Sequence, residues 1–176
     1  MEVRSVFYKY DSAQICENGH IVNLVAEYQP ERNQDYCLHC GASTITNCPS
    51  CSSPIQGARL LMRQTWISVR NKGTEIHVDP NNFAFPKFCI QCGIAFPWTK
   101  KKEQMLREYI VNVSDLSEED KQLLLTNLGD LIKATPRADL AVGIWKSVLA
   151  NKKNIATILW EVGKDYLPVA LHSMTK

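Results

Sequence analysis

The pattern of hydrophobic and polar positions changes character near residue 99. Before this point, short runs of β-forming residues alternate with turn residues, and after it apolar residues recur at helical spacing. The early runs predict strands over residues 3–10, 21–28, 58–70 and 74–78. The last two are expected to form a hairpin, with its turn at Asn71, Lys72 and Gly73.

The later pattern predicts four helices, of which the first spans about residues 100–111 with Thr99 as its N-cap. Ser117 is a good N-cap for the second helix, since three acidic residues follow it in the first turn. The apolar face of this helix, at positions i, i+4 and i+7, consists of Leu124, Leu128 and Leu131.

Prolines help to predict the bounds of the last two helices. Pro136 is expected at the first position of the third helix, where its missing N–H costs nothing. The fourth helix should begin near Ile155, and Pro168 should kink or end it. The core face of the third helix is expected to comprise Leu140, Ile144, Val148 and Leu149.

Eight candidate metal ligands occur as four closely spaced pairs in the first part of the chain. The pairs are Cys16/His20, Cys37/Cys40, Cys48/Cys51 and Cys89/Cys92. All seven cysteines belong to this set, and a histidine completes it. Because a structural zinc ion takes four Cys or His ligands, the pattern predicts two structural Zn²⁺ ions as cofactors. His39 lies inside a pair and is not expected to be a ligand.

The four pairs can combine in three ways, and we favour the sequential combination. It places Cys16, His20, Cys37 and Cys40 in site 1, and Cys48, Cys51, Cys89 and Cys92 in site 2. Sequential pairing closes the shortest loops, but each doubling of loop length costs only about 0.6 kcal/mol, so a crossed pairing stays open. Gly41 and Gly93 each follow a closing pair and allow the positive φ of a tight turn, which favours the sequential arrangement.

A ligand pair, a short β segment and a second ligand pair make up the plan of a zinc ribbon. We therefore predict an α+β protein, with a tandem zinc-ribbon domain over residues 1–98 and a bundle of about four helices over residues 99–176. Structural zinc contributes about 10–16 kcal/mol in small modules. Chelation is accordingly expected to unfold residues 16–92 before the helices.

Composition and charge limit the function classes. Hydrophobic residues make up 45% and charged residues 22% of the chain, which is typical of a globular protein. The formal charge of +2 becomes about −1 once seven thiolates and two Zn²⁺ are counted, and this argues against a general nucleic-acid binder. The sequence has no membrane-length apolar run and no secretory pattern, so we expect a cytoplasmic protein with reduced cysteines.

Several motifs also carry a family resemblance. Residues 15–23, residues 36–51 with 54–57, and residues 86–99 resemble a bacterial family of uncharacterised double zinc-ribbon proteins, domain of unknown function 2321. Residues 116–121 and 135–137 in the helical half are similar to that family too. The resemblance implies a bacterial protein with paired zinc ribbons and a helical C-terminal half, and it implies no activity.

The first functional hypothesis is a non-enzymatic adaptor that engages a protein partner or self-associates through its ribbon and C-terminal helix surfaces. Trp145 and Trp160 are the candidate interface anchors, because tryptophan is favoured in such surfaces. A competing interpretation has Trp160 packing against the second ribbon. We expect no enzyme and no small-molecule substrate, since no nucleophile–base pair, phosphate loop or open metal site is evident.

The alternative hypothesis is a nucleic-acid-binding zinc-ribbon protein with a regulatory or bacterial defence role. Its candidate contact residues combine cations with an aromatic ring, and they are Lys100, Lys101, Lys102, Arg107 and Trp98. Aromatic rings among basic residues can stack on bases while the cations meet phosphates. Such contacts would make binding fall steeply with salt concentration.

Overall fold

The computed structural model of the chain describes residues 3–66 and 72–175. The chain divides into two compact units, Met1–Thr99 and Lys100–Lys176. Strands occupy the first unit, and most of the helical residues belong to the second. The predicted α+β class is therefore confirmed.

Six described strands form two antiparallel sheets in the first unit. The strands are β1 (Val3–Ser12), β2 (Gln14–Cys16), β3 (Ile21–Asn23), β4 (Thr44–Ile45), β5 (Gln56–Trp66) and β6 (Lys72–Asp79). One sheet has the order β1-β5-β6, and the other, much shorter, has the order β3-β2-β4. A short 3₁₀ turn at Pro30–Arg32 lies between β3 and β4, and another at Pro80–Asn82 follows β6.

The strand predictions are mostly confirmed, with two differences. Only Ile21–Asn23 of the predicted strand over residues 21–28 is extended. Strands β5 and β6 form the expected hairpin, but Lys72 and Gly73 belong to β6 and pair with Trp66 and Thr65. The predicted turn position is therefore wrong for these two residues, since continuing the ladder satisfies more backbone hydrogen bonds. Residues 67–70 of the predicted strand and Asn71 lie outside the described residues.

One buried cluster of the first unit lies where its segments cross closely. Val25, Ala58 and Leu60 form this cluster, with Leu24 and Ile76 packed against it. Glycine is required beside it, because a Cβ on Gly57 would lie 2.3 Å from the carbonyl oxygen of Leu24. The buried side chains of this unit also include Ile15, Ile55, Phe96 and Trp98, so its core is spread over several segments of the chain.

The four predicted helices are confirmed, with shifted ends. They are α1 (Pro97–Asn112), α2 (Glu118–Lys133), α3 (Ala138–Leu149) and α4 (Lys153–Gly163), followed by a 3₁₀ segment over Val169–Thr175. Helix α1 begins two residues before Thr99, which is therefore not an N-cap; its hydroxyl donates to the carbonyl of Lys87 at 2.8 Å. Pro136 precedes α3 instead of occupying its first turn, because Arg137 takes the N-cap position.

Helix α4 ends before the proline that was expected to end it. Its last residue is Gly163, five positions before Pro168. The N–H of Leu167 donates to the carbonyl of Gly163 at 2.8 Å, and a Cβ at this glycine would lie 2.6 Å from the Leu167 side chain. A close return of the chain onto the glycine therefore sets the helix end, and proline does not.

The core face of α2 is confirmed, whereas that of α3 is rotated. Leu124, Leu128 and Leu131 of α2 are buried as predicted. On α3 the buried positions are Ala141, Trp145 and Leu149, and Leu140 is 57% exposed, so the predicted core role of Leu140 is wrong. The large indole decides this rotation, because its Nε1 donates to the carbonyl of Leu124 at 3.2 Å.

We expect Ser117→Ala to lower the free energy of unfolding of the helical unit by about 1 kcal/mol. The Ser117 hydroxyl accepts a hydrogen bond from the N–H of Asp120 at 3.1 Å and so satisfies a free donor at the start of α2. Urea denaturation followed by circular dichroism measures the change. Ser114→Ala is the matched control, since Ser114 bonds only the adjacent Asp115 side chain at 3.2 Å. Equal losses in both variants would contradict the capping role.

Candidate metal centres

Three of the ligand pairs share one tight turn, here called a knuckle. In each knuckle, the residue after the second cysteine donates its N–H to the carbonyl of the first cysteine, at 2.8–2.9 Å. This residue has a positive φ in all three knuckles: 69° at Gly41, 60° at Ser52 and 71° at Gly93. Ser52 follows an opening pair and adopts the same conformation as the two glycines. Gly41 and Gly93 therefore do not favour the sequential pairing over a crossed one.

The fourth pair, Cys16 and His20, uses a different turn at the end of β2. The N–H of Cys16 donates to the carbonyl of His20 at 2.9 Å, and the N–H of His20 donates to the Cys16 Sγ at 3.2 Å. Gly19 has φ of 90°, and a Cβ there would lie 3.0 Å from the Trp98 side chain. Glycine at this position therefore serves both the turn and the close packing of the tryptophan.

The structure brings the ligands together in the sequential combination. The first cluster contains Cys16, His20, Cys37 and Cys40, and all four ligand atoms lie within 4.8 Å of one another. The Sγ atoms of Cys16 and Cys40 are 3.8 Å apart, and the His20 Nδ1 lies 3.6 Å from the Sγ of both Cys16 and Cys37. The histidine thus presents Nδ1, not Nε2, to the three sulfur atoms.

The second cluster contains Cys48, Cys51, Cys89 and Cys92, with the same compactness. The Sγ atoms of Cys48 and Cys92 are 3.8 Å apart, and those of Cys51 and Cys89 are 3.6 Å apart. Tetrahedral coordination with Zn–S near 2.3 Å and Zn–N near 2.0–2.1 Å separates ligand atoms by about 3.6–3.8 Å. Both clusters therefore have dimensions suited to a four-coordinate metal ion.

Each cluster joins buried ligands to exposed ones. The buried cysteines are Cys16, Cys37, Cys48 and Cys89, whereas Cys40, Cys51 and Cys92 are exposed. None of the seven forms a disulfide. The first cysteine of each knuckle is thus held by the unit's interior, and the second approaches it from the surface through the turn.

Hydrogen bonds lower the pKa of one exposed thiol in each cluster. The N–H of Ala42 and the side-chain amide of Asn18 lower the pKa of Cys40 to about 6. The hydroxyl and the N–H of Ser53 lower the pKa of Cys51 to about 6. These two thiols therefore lose their protons more readily than an ordinary cysteine thiol.

Other thiols resist ionisation. The N–H of Ile94 acts to lower the pKa of Cys92, but desolvation and the neighbouring Cys51 and Cys89 outweigh it and raise this pKa to about 11. Burial raises the pKa of Cys16. Because thiolates placed side by side repel one another, full deprotonation of each cluster requires a cation among the ligands.

The remaining histidine near the first cluster is not among its ligands. His39 is exposed in the knuckle between Cys37 and Cys40, and its ring centroid lies 5.5 Å from that of His20. His20 and His39 are neighbours, but only His20 belongs to the cluster. Substitutions at these two positions can therefore be compared directly.

The aromatic member of the predicted nucleic-acid patch is buried. Trp98 is only 2% exposed, its Nε1 donates to the carbonyl of Pro86 at 2.8 Å, and its ring stacks on Phe96 at 4.7 Å. A buried indole cannot stack on a base, so the expectation for Trp98 is corrected. Its hydrophobic area is used for packing within the first unit.

The cationic members of that patch lie on α1. Lys100 and Lys101 are exposed, and Lys102 is half-buried. Arg107 donates to the carboxylate of Glu103 at 2.7 Å, one helical turn earlier, so its charge is already paired. The lysine run on α1 is therefore present, but Trp98 does not provide an exposed aromatic ring beside it.

The two candidate interface tryptophans differ in their placement. Trp145 is fully buried in the helical unit, so its expected role as a surface anchor is corrected. Trp160 is half-buried and stacks on His172, with ring centroids 5.0 Å apart and planes at 21°.

Among the residues that the structure describes, no helix combines the length and apolar character needed to cross a bilayer.

These features define a class: an α+β protein in which two four-ligand, cysteine-rich clusters fit the zinc-ribbon plan and are followed by helices. The family model described as an uncharacterised protein conserved in bacteria (DUF2321) matches residues 9–163. The chain belongs to that family, and the resemblance noted in the sequence is confirmed. Comparisons with curated proteins and with solved structures found no significant match.

Proposed function

We propose that this protein is a non-catalytic interaction module whose first unit is held together by two structural zinc ions. Each cluster offers four protein ligands, and a tetrahedral ion bound there keeps no position for water or substrate. Such ions serve folding instead of chemistry. The proposal includes a reducing compartment, the cytoplasm, because cysteines that bind metal must stay out of disulfides.

The exposed edge of the first sheet is the observation that carries the interaction role. Strand β1 forms one edge of the β1-β5-β6 sheet. Its large apolar side chains are 42–58% exposed, and they are Val6, Phe7, Tyr8 and Tyr10. A long edge strand with exposed apolar side chains is a template for pairing with another strand, and proteins that stay monomeric usually protect such an edge.

A second copy of this chain is the partner that we assign to this edge. An antiparallel pair of β1 strands centred on Phe7 would place Val6 opposite Tyr8 and Lys9 opposite Ser5, so no like charges would be opposed. The pairing would join two three-stranded sheets into one of six strands. It would also bring the exposed apolar side chains of both copies together.

We expect Phe7→Lys to weaken self-association of the full-length protein by at least about tenfold, because two lysines would face each other across the two-fold axis. Sedimentation velocity over a concentration series measures the dissociation constant. Tyr28→Lys is the matched control, since Tyr28 is equally exposed at 42% but lies outside β1. The proposal fails if wild type is monomeric at high concentration, or if both variants associate as wild type does.

Nucleic-acid binding is the second functional hypothesis, and the structure supports it less than the sequence pattern does. The lysine run on α1 keeps two exposed cations, whereas Trp98 is buried and Arg107 is paired with Glu103. In β5, Arg59 is likewise paired, with Asp79 at 2.8 Å. Binding to phosphates through the lysine run of α1 is expected to be weak and non-specific.

A further inference from the structure

A cavity of about 400 Å³ lies in the first unit, beside the second cluster. This volume is within the range of sites that hold small ligands or a few peptide side chains. Its walls come from the segment after Cys51, the segment around Cys89 and the end of β1. The two segments carry the two cysteine pairs of the second cluster. The distance between these pairs therefore also sets the distance between the cavity walls.

Each wall is held by contacts with residues that do not line the cavity. Phe85 packs against Trp98, with ring centroids 5.8 Å apart, and the carbonyl of Pro86 accepts the Trp98 indole hydrogen bond. On the opposite wall, Ile55 is buried, and its N–H donates to the carbonyl of Thr46 at 2.8 Å. Walls held in this way need little reorganisation on binding, which favours a preformed site.

The lining has a distinctive chemistry. Aromatic rings come from Tyr10, Phe85, Phe88 and Phe96, and prolines come from Pro54 and Pro86. None of the described residues that line the cavity carries a charged side chain. Charged ligands such as phosphates or acidic peptides would lose solvation here without gaining a counter-charge.

Two polar side chains stand among the apolar ones. Tyr10 and Gln56 line the cavity, and their side chains carry a hydroxyl and an amide that can donate hydrogen bonds to carbonyl groups. Ile90, in the knuckle of the second cluster, is 77% exposed and also lines the cavity. The site thus combines an apolar rim, aromatic walls and a few hydrogen-bond donors.

From this lining we propose that the cavity binds an uncharged, proline-containing peptide segment in the extended polyproline II conformation. Aromatic-lined grooves accept proline rings, and the solvated carbonyls of such a peptide match donors like Tyr10 and Gln56. The peptide is already extended before binding, so little conformational entropy is lost. This proposal goes beyond self-association through β1, and its test uses different variants.

Fluorescence anisotropy with labelled decaproline and the zinc-loaded, full-length protein tests the site. We expect saturable binding below about 1 mM, and no binding of a Gly-Ser decapeptide. Ile90→Glu should weaken decaproline binding at least about fivefold. Leu38→Glu is the matched control, because Leu38 occupies the same knuckle position in the first cluster and is 85% exposed; its effect should stay below about twofold.

Zinc content and melting temperature of both variants are measured first. If Ile90→Glu loses zinc, the comparison is made with Ile90→Ser and Leu38→Ser, and ¹⁵N chemical-shift changes on adding decaproline to wild type should centre on Phe85 and Phe88. Three results would each overturn the peptide site: no saturable binding of decaproline, equal binding of the Gly-Ser peptide, or equal weakening by the substitutions at residues 90 and 38. None of these results bears on the sedimentation test of Phe7→Lys, so the two proposals fail separately.

Discussion

Removal of metal from both clusters is expected to unfold the first unit while the helices of the second unit remain folded. A structural zinc ion contributes about 10–16 kcal/mol of apparent binding free energy in small modules. Whole domains are stable by only about 5–15 kcal/mol. The loss of two such ions would therefore exceed the free energy that keeps a typical domain folded.

A chelator titration of the full-length protein provides the measurement. The dispersed amide signals of residues in β1, β5 and β6 should collapse, whereas the helical circular dichroism signal should be largely retained. Dispersed β signals that persist after complete metal removal, verified by elemental analysis, would contradict the structural role. Simultaneous loss of strands and helices would show that the two units do not unfold independently.

Neighbouring histidines supply a site-resolved control for this prediction. His20→Ala removes one ligand of the first cluster and should reduce bound zinc from two ions to about one per chain. His39→Ala changes an exposed residue in the knuckle between Cys37 and Cys40 and should retain both ions. If the two variants lose the same amount of zinc, His20 is not a ligand.

Trp145→Ala is expected to destabilise the helical unit by about 3–5 kcal/mol. The substitution removes the largest fully buried side chain of α3 and leaves a cavity between α3 and α2. It also leaves the Leu124 carbonyl without the indole donor. Denaturant unfolding monitored by helical circular dichroism measures the loss, which is large enough to unfold a marginal domain.

Two further variants separate packing from other effects. Leu140→Ala, on the same helix but 57% exposed, should cost no more than about 0.5 kcal/mol. Trp145→Phe keeps much of the apolar volume but removes the hydrogen bond, so it should fall between the two. If Trp145→Ala is tolerated as well as Leu140→Ala, the indole is not the core residue that its burial indicates.

Local sequence was sufficient to predict most of the elements. Helix α2 was predictable because its N-cap Ser117, its acidic first turn and its leucine spacing all act within a few residues. The ligand set was equally predictable, since pairs such as Cys37/Cys40 are close enough in the chain to bind one ion in almost any fold. The choice of pairs was less certain, because loop entropy separates the alternatives only weakly.

Residues whose role depends on distant neighbours were predicted less well. Trp98 precedes a basic run in the sequence and resembled a base-stacking residue, but Phe85, Pro86 and Phe96 pack around it in three dimensions. On α3, counting leucines indicated Leu140 as a core residue, whereas the backbone acceptor at Leu124 turns Trp145 inward. Local periodicity shows neither the hydrogen-bond acceptor of Trp145 nor the packing partners of Trp98.

The sequence by itself therefore determined the α+β class, the four helices and the eight members of the two clusters, because these depend on short-range spacing and composition, and its motifs carried the resemblance to the family. Only the tertiary structure decided which ligand pairs combine, which tryptophans are buried, and that β1 lies at a sheet edge beside an uncharged aromatic cavity. The physical reason is that such features arise where segments far apart in the chain meet. The free energies of these features come from packing between distant segments, and this packing cannot be read from the linear sequence.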